Sequence, residues 1–222
     1  GVALTIGDNV FLGCTSLAEI AFSKNIVQLG SSCFGNCTGL TSLELPDNIT
    51  EIGSSAFAGC SELESLILPK KLKTLGYYFI SGTAIKELTI PATLTKCYGY
   101  NTKYSGYDYS GPLAGAKSLK KLCLASGIEA VPEYLASASE SNGSHIEDVD
   151  IPSTAKSIGN AAFWGCVNMK YIFIPASVTS IADNAFYNCK LNSILGVEGS
   201  KAESYAEEHN IPFNEVEGDY NN

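Results

Sequence analysis

The sequence predicts a solenoid of the α/β type, in which turns of chain stack along one axis and a single parallel β-sheet forms one wall. Three observations support this prediction. A block of residues recurs about every 23 positions, most blocks hold a leucine-rich segment ending in proline, and most hold a stretch related to Gly…Ala-Phe…Cys. Recurrence at a fixed period is the signature of a repeat architecture, whose units stack because one unit alone cannot bury its apolar face.

The repeat is clearest when residues 30–52 are laid over residues 53–75, which agree at glycine, phenylalanine, cysteine and proline positions. The proline position can be followed along the chain through Ser23, Pro46, Pro69, Pro91, Ala125, Pro152, Pro175 and Val197. These positions predict about eight turns. Two of the intervals are longer than the rest, which places insertions near residues 98–110 and 139–145.

Each leucine-rich segment has the pattern of a strand with one buried face. In residues 63–69, Leu66 and Leu68 alternate with other side chains, so both point inward. Pro69 lacks an N–H group, and the strand therefore ends there. The chain then bends back through a second apolar layer that includes Leu72.

The other side of each turn supplies a corner and an aromatic ring. Gly53 and its equivalents suit a tight corner with unusual backbone dihedrals, because glycine has no Cβ atom. Ala56 and Phe57 follow, and the phenylalanine is expected to enter the core from the wall opposite the sheet.

The blocks at residues 52–69 and 158–175 follow the pattern Ile-Gly-x-x-Ala-Phe-x-x-Cys-x-x-Leu-x-x-Ile-x-Ile-Pro. This pattern resembles the BspA-type leucine-rich repeats of bacterial surface proteins from mouth and gut and of some protozoan parasites. The resemblance covers nearly the whole chain and implies a right-handed superhelix with few helices. The chain departs from the pattern where proline or cysteine is missing, at Thr83, Ala116, Ala125 and Ser139.

We predict two regions, a repeat solenoid over residues 1–198 and a C-terminal cap with an acidic tail over residues 199–222. Ser200 and Glu203 form a capping-box motif at the start of a short amphipathic helix that runs through His209. The apolar residues of this cap are Ala202, Tyr205 and Ala206, followed by Ile211 and Phe213. The first turn has no comparable cap, so we expect further repeats or another domain to precede it.

The charge composition excludes some classes of partner. The chain has 14 lysines, no arginine and 23 acidic residues, with a net charge of −9. A nucleic-acid-binding protein needs a basic face, which this chain lacks. No apolar run reaches the ~18–20 residues of a membrane span. Five of the nine net negative charges lie from Ser200 onward, where six acids accompany one lysine, so the repeats are nearly balanced.

Five of the eight cysteines occupy the same repeat position, namely Cys14, Cys37, Cys60, Cys166 and Cys189. They are either a disulfide or metal framework, or a column of buried thiols. Stacked turns keep Cβ vectors parallel, whereas a disulfide needs Cβ atoms that converge to about 3.8 Å, which favours buried thiols. The chain has no Cys-x-x-Cys pair and only two histidines, so we expect no zinc site and no cofactor.

The sequence contains none of the common catalytic motifs. Asp148 and Asp150 lie two positions apart on an outward strand face, and such a pair is suited to acid–base chemistry or to a hard cation. A solvated strand face is the simpler interpretation, and we do not expect an enzyme.

The first candidate binding site is the insertion near residues 98–110. Its tyrosines stand among glycine, serine and asparagine, and they are Tyr98, Tyr100, Tyr104, Tyr107 and Tyr109. This is the composition of adaptable recognition loops. The alternative is a tyrosine-rich loop that simply folds against the stack.

Two further aromatic groups are candidates. Trp164 and Tyr187 occupy equivalent positions one turn apart, where they either engage a sugar or peptide or only pack together. Tyr171 and Phe173 lie with Leu195 on the outward strand face, where they form either a partner patch or a surface covered by the C-terminal apolar residues.

These observations favour a non-enzymatic recognition module. The resemblance implies an extracellular or cell-surface location and adhesion, with a protein or glycan as ligand and host extracellular-matrix proteins among the partners. We expect a monomer that binds no nucleic acid and inserts no part of this segment into a membrane. The alternative is a structural spacer that presents other domains of a larger surface protein.

Overall fold

A computed structural model describes residues 2–101, 109–139 and 143–217. Within these ranges the chain forms a solenoid of about nine turns with parallel sheets, many short strands and one short helix near the C-terminus. The predicted fold class is therefore confirmed. In chain order the strands are β1 (Leu4–Ile6), β2 (Ile26–Leu29), β3 (Ser42–Glu44), β4 (Glu51–Ile52), β5 (Ser65–Ile67), β6 (Thr74–Leu75), β7 (Glu87–Ile90), β8 (Lys96–Cys97), β9 (Tyr100–Asn101), β10 (Tyr109–Ser110), β11 (Lys121–Leu124), β12 (Ala130–Val131), β13 (Asp148–Asp150), β14 (Ser157–Ile158), β15 (Tyr171–Phe173), β16 (Ser180–Ile181), β17 (Ser193–Gly196) and β18 (Phe213–Glu215).

The leucine-rich segments form the first wall, as predicted. Its parallel strands pair in the groups β3-β5, β7-β11-β13 and β15-β17-β18. Equivalent residues of successive turns stand opposite each other, so Leu43 pairs with Leu66 and both side chains are buried. Buried and exposed side chains therefore alternate along the strands of this wall as the sequence predicted.

A second wall is also a parallel sheet, made of β1-β2-β4-β6-β8 and β12-β14-β16. The prediction of a single sheet wall was thus incomplete. Most of these strands are two residues long, such as Thr74–Leu75. A two-residue strand is too short to show the alternation of apolar and polar residues that identifies a strand. Only the apolar residue of each such strand could be recognised in the sequence.

The third side, which we call the turn wall, consists of stacked turns joined by backbone hydrogen bonds. The N–H of Ser55 donates to the carbonyl of Tyr77 (2.9 Å), and the N–H of Phe57 donates to that of Phe79 (2.8 Å). The predicted ring of each turn lies inside this wall. Phe34 stacks on Phe57 with ring centroids 5.5 Å apart and planes 2° apart.

The corner glycines are needed for close packing rather than for unusual dihedrals, so that part of the prediction was wrong. A Cβ atom on Gly53 would lie 2.6 Å from the carbonyl carbon of Gly30, and one on Gly76 would lie 2.2 Å from the amide nitrogen of Ser54. The left-handed backbone occurs instead two residues after the corner glycine, as at Ser55 (φ 56°), and just before the cysteine position, as at Gly59 (φ 76°).

The cysteine column is a set of thiols that bond to the neighbouring turn. The Sγ atom of Cys60 donates to the carbonyl of Phe34 (3.0 Å), and that of Cys189 donates to the carbonyl of Phe163 (3.0 Å). All eight cysteines are free thiols, and Cys37, Cys60 and Cys166 of the column are buried. A small apolar side chain with one weak donor fits this position, which accounts for the recurrence of cysteine.

The cap is a helix α1 (Lys201–Glu208) followed by β18, which pairs in parallel with β17. Its buried residues are Ala202, Tyr205 and Ala206, the predicted apolar stripe. The capping box forms only in part. Glu203 accepts from the N–H of Gly199 (2.6 Å), whereas the buried hydroxyl of Ser200 has no partner. Over the described residues, no helix has the length and apolarity needed to cross a bilayer.

A substitution at a corner glycine tests the close packing of the turns. We expect Gly53→Ala to lower the free energy of unfolding by about 1–3 kcal/mol, because the added methyl meets backbone atoms of the preceding turn. Gly143→Ala is the control, since no atom lies within 4 Å of its Cβ position, and it should change stability by less than ~0.5 kcal/mol. Urea unfolding measures both. Equal midpoints for the two variants would contradict close packing.

Thiol reactivity tests the burial of Cys60, a member of the cysteine column, and of Cys33, which lies outside that column. Burial raises the pKa of Cys33 to about 12 and that of Cys60 to about 11. The thiolate is the reactive form, so at pH 8 we expect iodoacetamide to modify exposed Cys14 first and to spare these two until the protein unfolds. Peptide mass mapping measures the order.

The same shifts predict a loss of stability in alkali. Because folding raises these pKa values from the ordinary value of 9.0, the contribution of each buried thiol is complete below pH 9. This stabilising contribution falls as the pH rises through the folded-state pKa.

In the labelling experiment, rapid modification of all eight thiols in the native protein at pH 8 would contradict the buried column.

Candidate binding site

The tyrosine-rich insertion is a β-hairpin at its base. Strand β9 pairs antiparallel with β10, so that Tyr109 stands opposite Asn101 and Ser110 opposite Tyr100. Tyr104 and Tyr107, two of the predicted binding residues, lie in 102–108, outside the described residues. The hairpin brings the predicted residues Tyr100 and Tyr109 to the same end of the loop.

The hairpin packs onto the turn wall through aromatic contacts. The ring of Tyr109 meets Trp164 edge-on at 5.0 Å between centroids, and it meets Tyr134 at 5.3 Å. The ring of Tyr100 meets Tyr77 at 5.5 Å. The described base of the insertion therefore packs against the stack, yet the side chain of Tyr100 remains 48% exposed.

Tyr134 is the support beneath this hairpin. A Cβ atom on Gly99 would lie 2.7 Å from its ring, so the hairpin backbone passes directly over it. Its hydroxyl accepts from the Nδ2 atom of Asn160 (3.0 Å), and its backbone has a φ of 60°. Sequence reasoning missed Tyr134. The sequence did contain a signal for it. Tyr78 and Tyr134 share one repeat position, and an earlier turn has the serine Ser55 at that position.

Trp164 and Tyr187 stack, but they are not equally accessible. Their ring centroids are 4.2 Å apart and their planes 26° apart. Trp164 is only 6% exposed, because Tyr187 lies against one side of it and Tyr109 meets it edge-on. Tyr187 is 60% exposed and presents the accessible surface of the pair. The two rings thus pack together, as one of the two interpretations held, and only Tyr187 remains accessible.

We call the resulting surface the aromatic platform. It consists of Tyr77, Tyr78, Tyr100, Tyr109, Tyr134, Trp164 and Tyr187. Burial raises the pKa of Tyr134. Tyr98 lies beside β8 and pairs with Lys96, whose ammonium nitrogen is 4.5 Å from the ring centroid.

Tyr171 and Phe173 lie in β15 on the first wall, so the structure does not bring them to the platform. Strand β18 extends the sheet beyond β17, where Phe213 stands opposite the buried Ile194. The C-terminal segment therefore does not cover Tyr171, which is 52% exposed and accepts a hydrogen bond from Asn192 (3.1 Å). A shallow cavity of about 210 Å³ adjoins this patch.

The carboxylates of Asp148 and Asp150 share a lysine partner. The Nζ atom of Lys121 lies 3.1 Å from Asp150 and 3.8 Å from Asp148. The hydrogen bond and charge of Asp150 raise the pKa of Lys121, which keeps the ammonium charged. The pair is thus a surface ion-pair network. Among the described residues, no group of three or more histidine, cysteine or acidic side chains is placed to hold a metal ion.

A groove on the first wall was not foreseen. Between β5 and β7 the described strands are not joined in one ladder, and a cavity of about 750 Å³ opens there. Ile67 lines it and is 55% exposed, with Glu64 and Lys86 at its rim. The available signal was the interval from Pro69 to Pro91, which is one residue shorter than the regular repeat.

Comparison with solved structures finds similar bacterial repeat proteins. A leucine-rich repeat protein of Treponema pallidum is 17% identical over 95% of this chain and 78% of its own, with a TM-score of 0.50. One from Bacteroides ovatus is 20% identical over 96% and 75%, with a TM-score of 0.37. A leucine-rich cell surface protein of Faecalibacterium prausnitzii is 18% identical over 97% and 83%, with a TM-score of 0.31. The first of these likenesses supports the fold alone.

The sequence profile of the BspA type leucine-rich repeat region matches six copies, over residues 3–105 and 137–204. A comparison with curated proteins finds no match. The matched residues span most of the chain and coincide with the stacked turns described above. The chain therefore belongs to the BspA-type leucine-rich repeat family.

Proposed function

We propose that this chain is a recognition module of a bacterial cell-surface protein, which binds an extracellular partner without chemical conversion. The observation that carries this proposal is the aromatic platform. Its exposed rings, Tyr187 and Tyr100, are held in place by ring contacts with Trp164 and Tyr77. Rings that are immobilised before binding lose little conformational entropy when a ligand arrives.

The polar groups elsewhere support binding rather than catalysis. Lys121 pairs with both carboxylates of the outward strand face. Burial and the carboxylates of Asp150 and Glu87 raise the pKa of Cys123 to about 12, which disfavours the thiolate that a nucleophile requires. Membership in a family of surface repeat proteins supports an extracellular location, and host matrix proteins or glycans are the partners we propose.

An array of matrix proteins and glycans tests this function. We expect the wild type to bind a subset of the array, and we expect the double variant Tyr100→Ala/Tyr187→Ala to weaken each interaction at least tenfold. The matched control is Tyr171→Ala, which removes a tyrosine of similar exposure from another wall. It should bind like the wild type. Circular dichroism confirms the fold of each variant.

Two results would contradict the proposal. No binding to any matrix protein or glycan would favour a structural spacer. Loss of binding in Tyr171→Ala, with unchanged binding in the double variant, would move the site to the first wall.

A further inference from the structure

We propose that the aromatic platform binds an uncharged oligosaccharide, an inference that rests on the proposed function and specifies its ligand class. Three properties of the platform support this ligand class, namely the orientation of one ring, the charge of the turn segments and the length of the platform. Each of these properties distinguishes a neutral sugar chain from a charged ligand or from a single sugar unit.

The ring of Tyr187 offers a flat apolar face beside a polar edge. One side of the ring stacks on Trp164 at 4.2 Å, and 60% of the side chain remains exposed. A pyranose ring has a matching form, with C–H groups on its faces and hydroxyl groups around its rim. The C–H groups carry partial positive charge and are attracted to the negative face of an aromatic ring. The phenol hydroxyl and the exposed Asn188 supply hydrogen-bonding groups for the rim.

The turn segments that carry the platform contain no charged side chain, and the charged residues beside them include acids. The turn segments at residues 77–82, 111–115, 134–138, 160–165 and 184–188 contain no lysine, aspartate or glutamate, and the chain has no arginine. An anionic sugar or an acidic peptide would give up hydration there without gaining an opposite charge. A neutral polar ligand meets no such penalty. The flanking acids Glu133 and Asp183 would also repel a carboxylate or sulfate.

The platform is longer than one sugar ring. Its turn segments are joined along the axis by backbone hydrogen bonds, from Tyr78 to Gly111 (3.0 Å) and from Tyr134 to Asn160 (3.0 Å). Four steps separate the turn of Tyr77 from that of Tyr187, and at a turn spacing of ~4.8 Å this is roughly 19 Å. Affinity should therefore increase with the number of sugar units.

Titration with defined hexasaccharides tests this inference. Trp164 is the single tryptophan and lies directly under Tyr187, so its fluorescence reports a ligand at this ring. The probes are cellohexaose, mannohexaose, xylohexaose and maltohexaose, together with hexagalacturonate as an anionic control. We expect at least one neutral hexasaccharide to bind and to bind more tightly than its disaccharide. Hexagalacturonate should not bind.

Three variants test whether the aromatic ring of Tyr187, rather than its hydroxyl group or a tyrosine on another wall, binds the sugar. Tyr187→Ala should weaken binding of that hexasaccharide about tenfold, whereas Tyr187→Phe keeps the ring and should stay within about threefold of the wild type. Tyr171→Ala should have no effect. Isothermal titration calorimetry gives the dissociation constants, and near-ultraviolet circular dichroism checks that the platform remains folded.

The inference is overturned if none of the four neutral hexasaccharides binds at millimolar concentration, if hexagalacturonate binds as tightly, or if Tyr187→Ala binds normally. A matrix protein captured through the platform, with no hexasaccharide bound, would overturn the sugar ligand and leave the proposed function standing. Failure of matrix proteins and of all sugars alike would overturn both.

Discussion

Each turn of this protein is held by backbone hydrogen bonds to the turns beside it, and the other features of the structure depend on this constraint. In the sheet walls, the N–H of Gly53 donates to the carbonyl of Leu29 in the preceding turn (2.8 Å). On the turn wall, the N–H of Phe57 donates to the carbonyl of Phe79 in the following turn (2.8 Å). Because polar backbone groups inside a protein must be paired, this arrangement allows a 23-residue unit to bury its apolar side chains.

Equal spacing of the turns explains both the core and the candidate binding surface. Residues at one repeat position recur at a short fixed distance along the axis, so aromatic residues at that position stack. Inside the turn wall this produces the contact between Phe34 and Phe57, and outside it produces the contact between Trp164 and Tyr187. The platform is therefore rigid for the same reason that the core is ordered. A recognition surface can arise on such a rod by substitution at exposed repeat positions, without a change of fold.

The features that recur in every turn were predictable, and those that depend on one irregular turn were not. The strand at Leu66, its end ahead of Pro69 and the inward ring of Phe57 follow from alternation, from a missing N–H and from repeat position. The burial of Trp164 depends on Tyr109, which reaches it from an insertion more than fifty residues earlier in the chain. No period connects two such residues, so their contact could not be read from the sequence.

Sequence reasoning also assigned one glycine column the wrong cause. A recurring glycine is consistent with either unusual dihedrals or close approach of two backbones, and the sequence does not distinguish them. At Gly53 the preceding turn leaves no room for a Cβ atom. The residues with left-handed backbone lie elsewhere in the repeat, and they include the bulky Tyr78 and Tyr134 of the platform. Such conformations persist in bulky residues only where the surrounding structure enforces them.

Amide hydrogen exchange tests the central claim, that the turn wall is hydrogen-bonded between turns as firmly as the sheets are. The informative amides are those of Phe57, Tyr134 and Gly165 on the turn wall, compared with those of Gly53 and Gly76 at the sheet. We predict protection of the turn-wall amides within about tenfold of the sheet amides, because both open only when neighbouring turns separate. Exchange of the turn-wall amides at the rate of an unstructured loop, with the sheet amides still protected, would contradict the account.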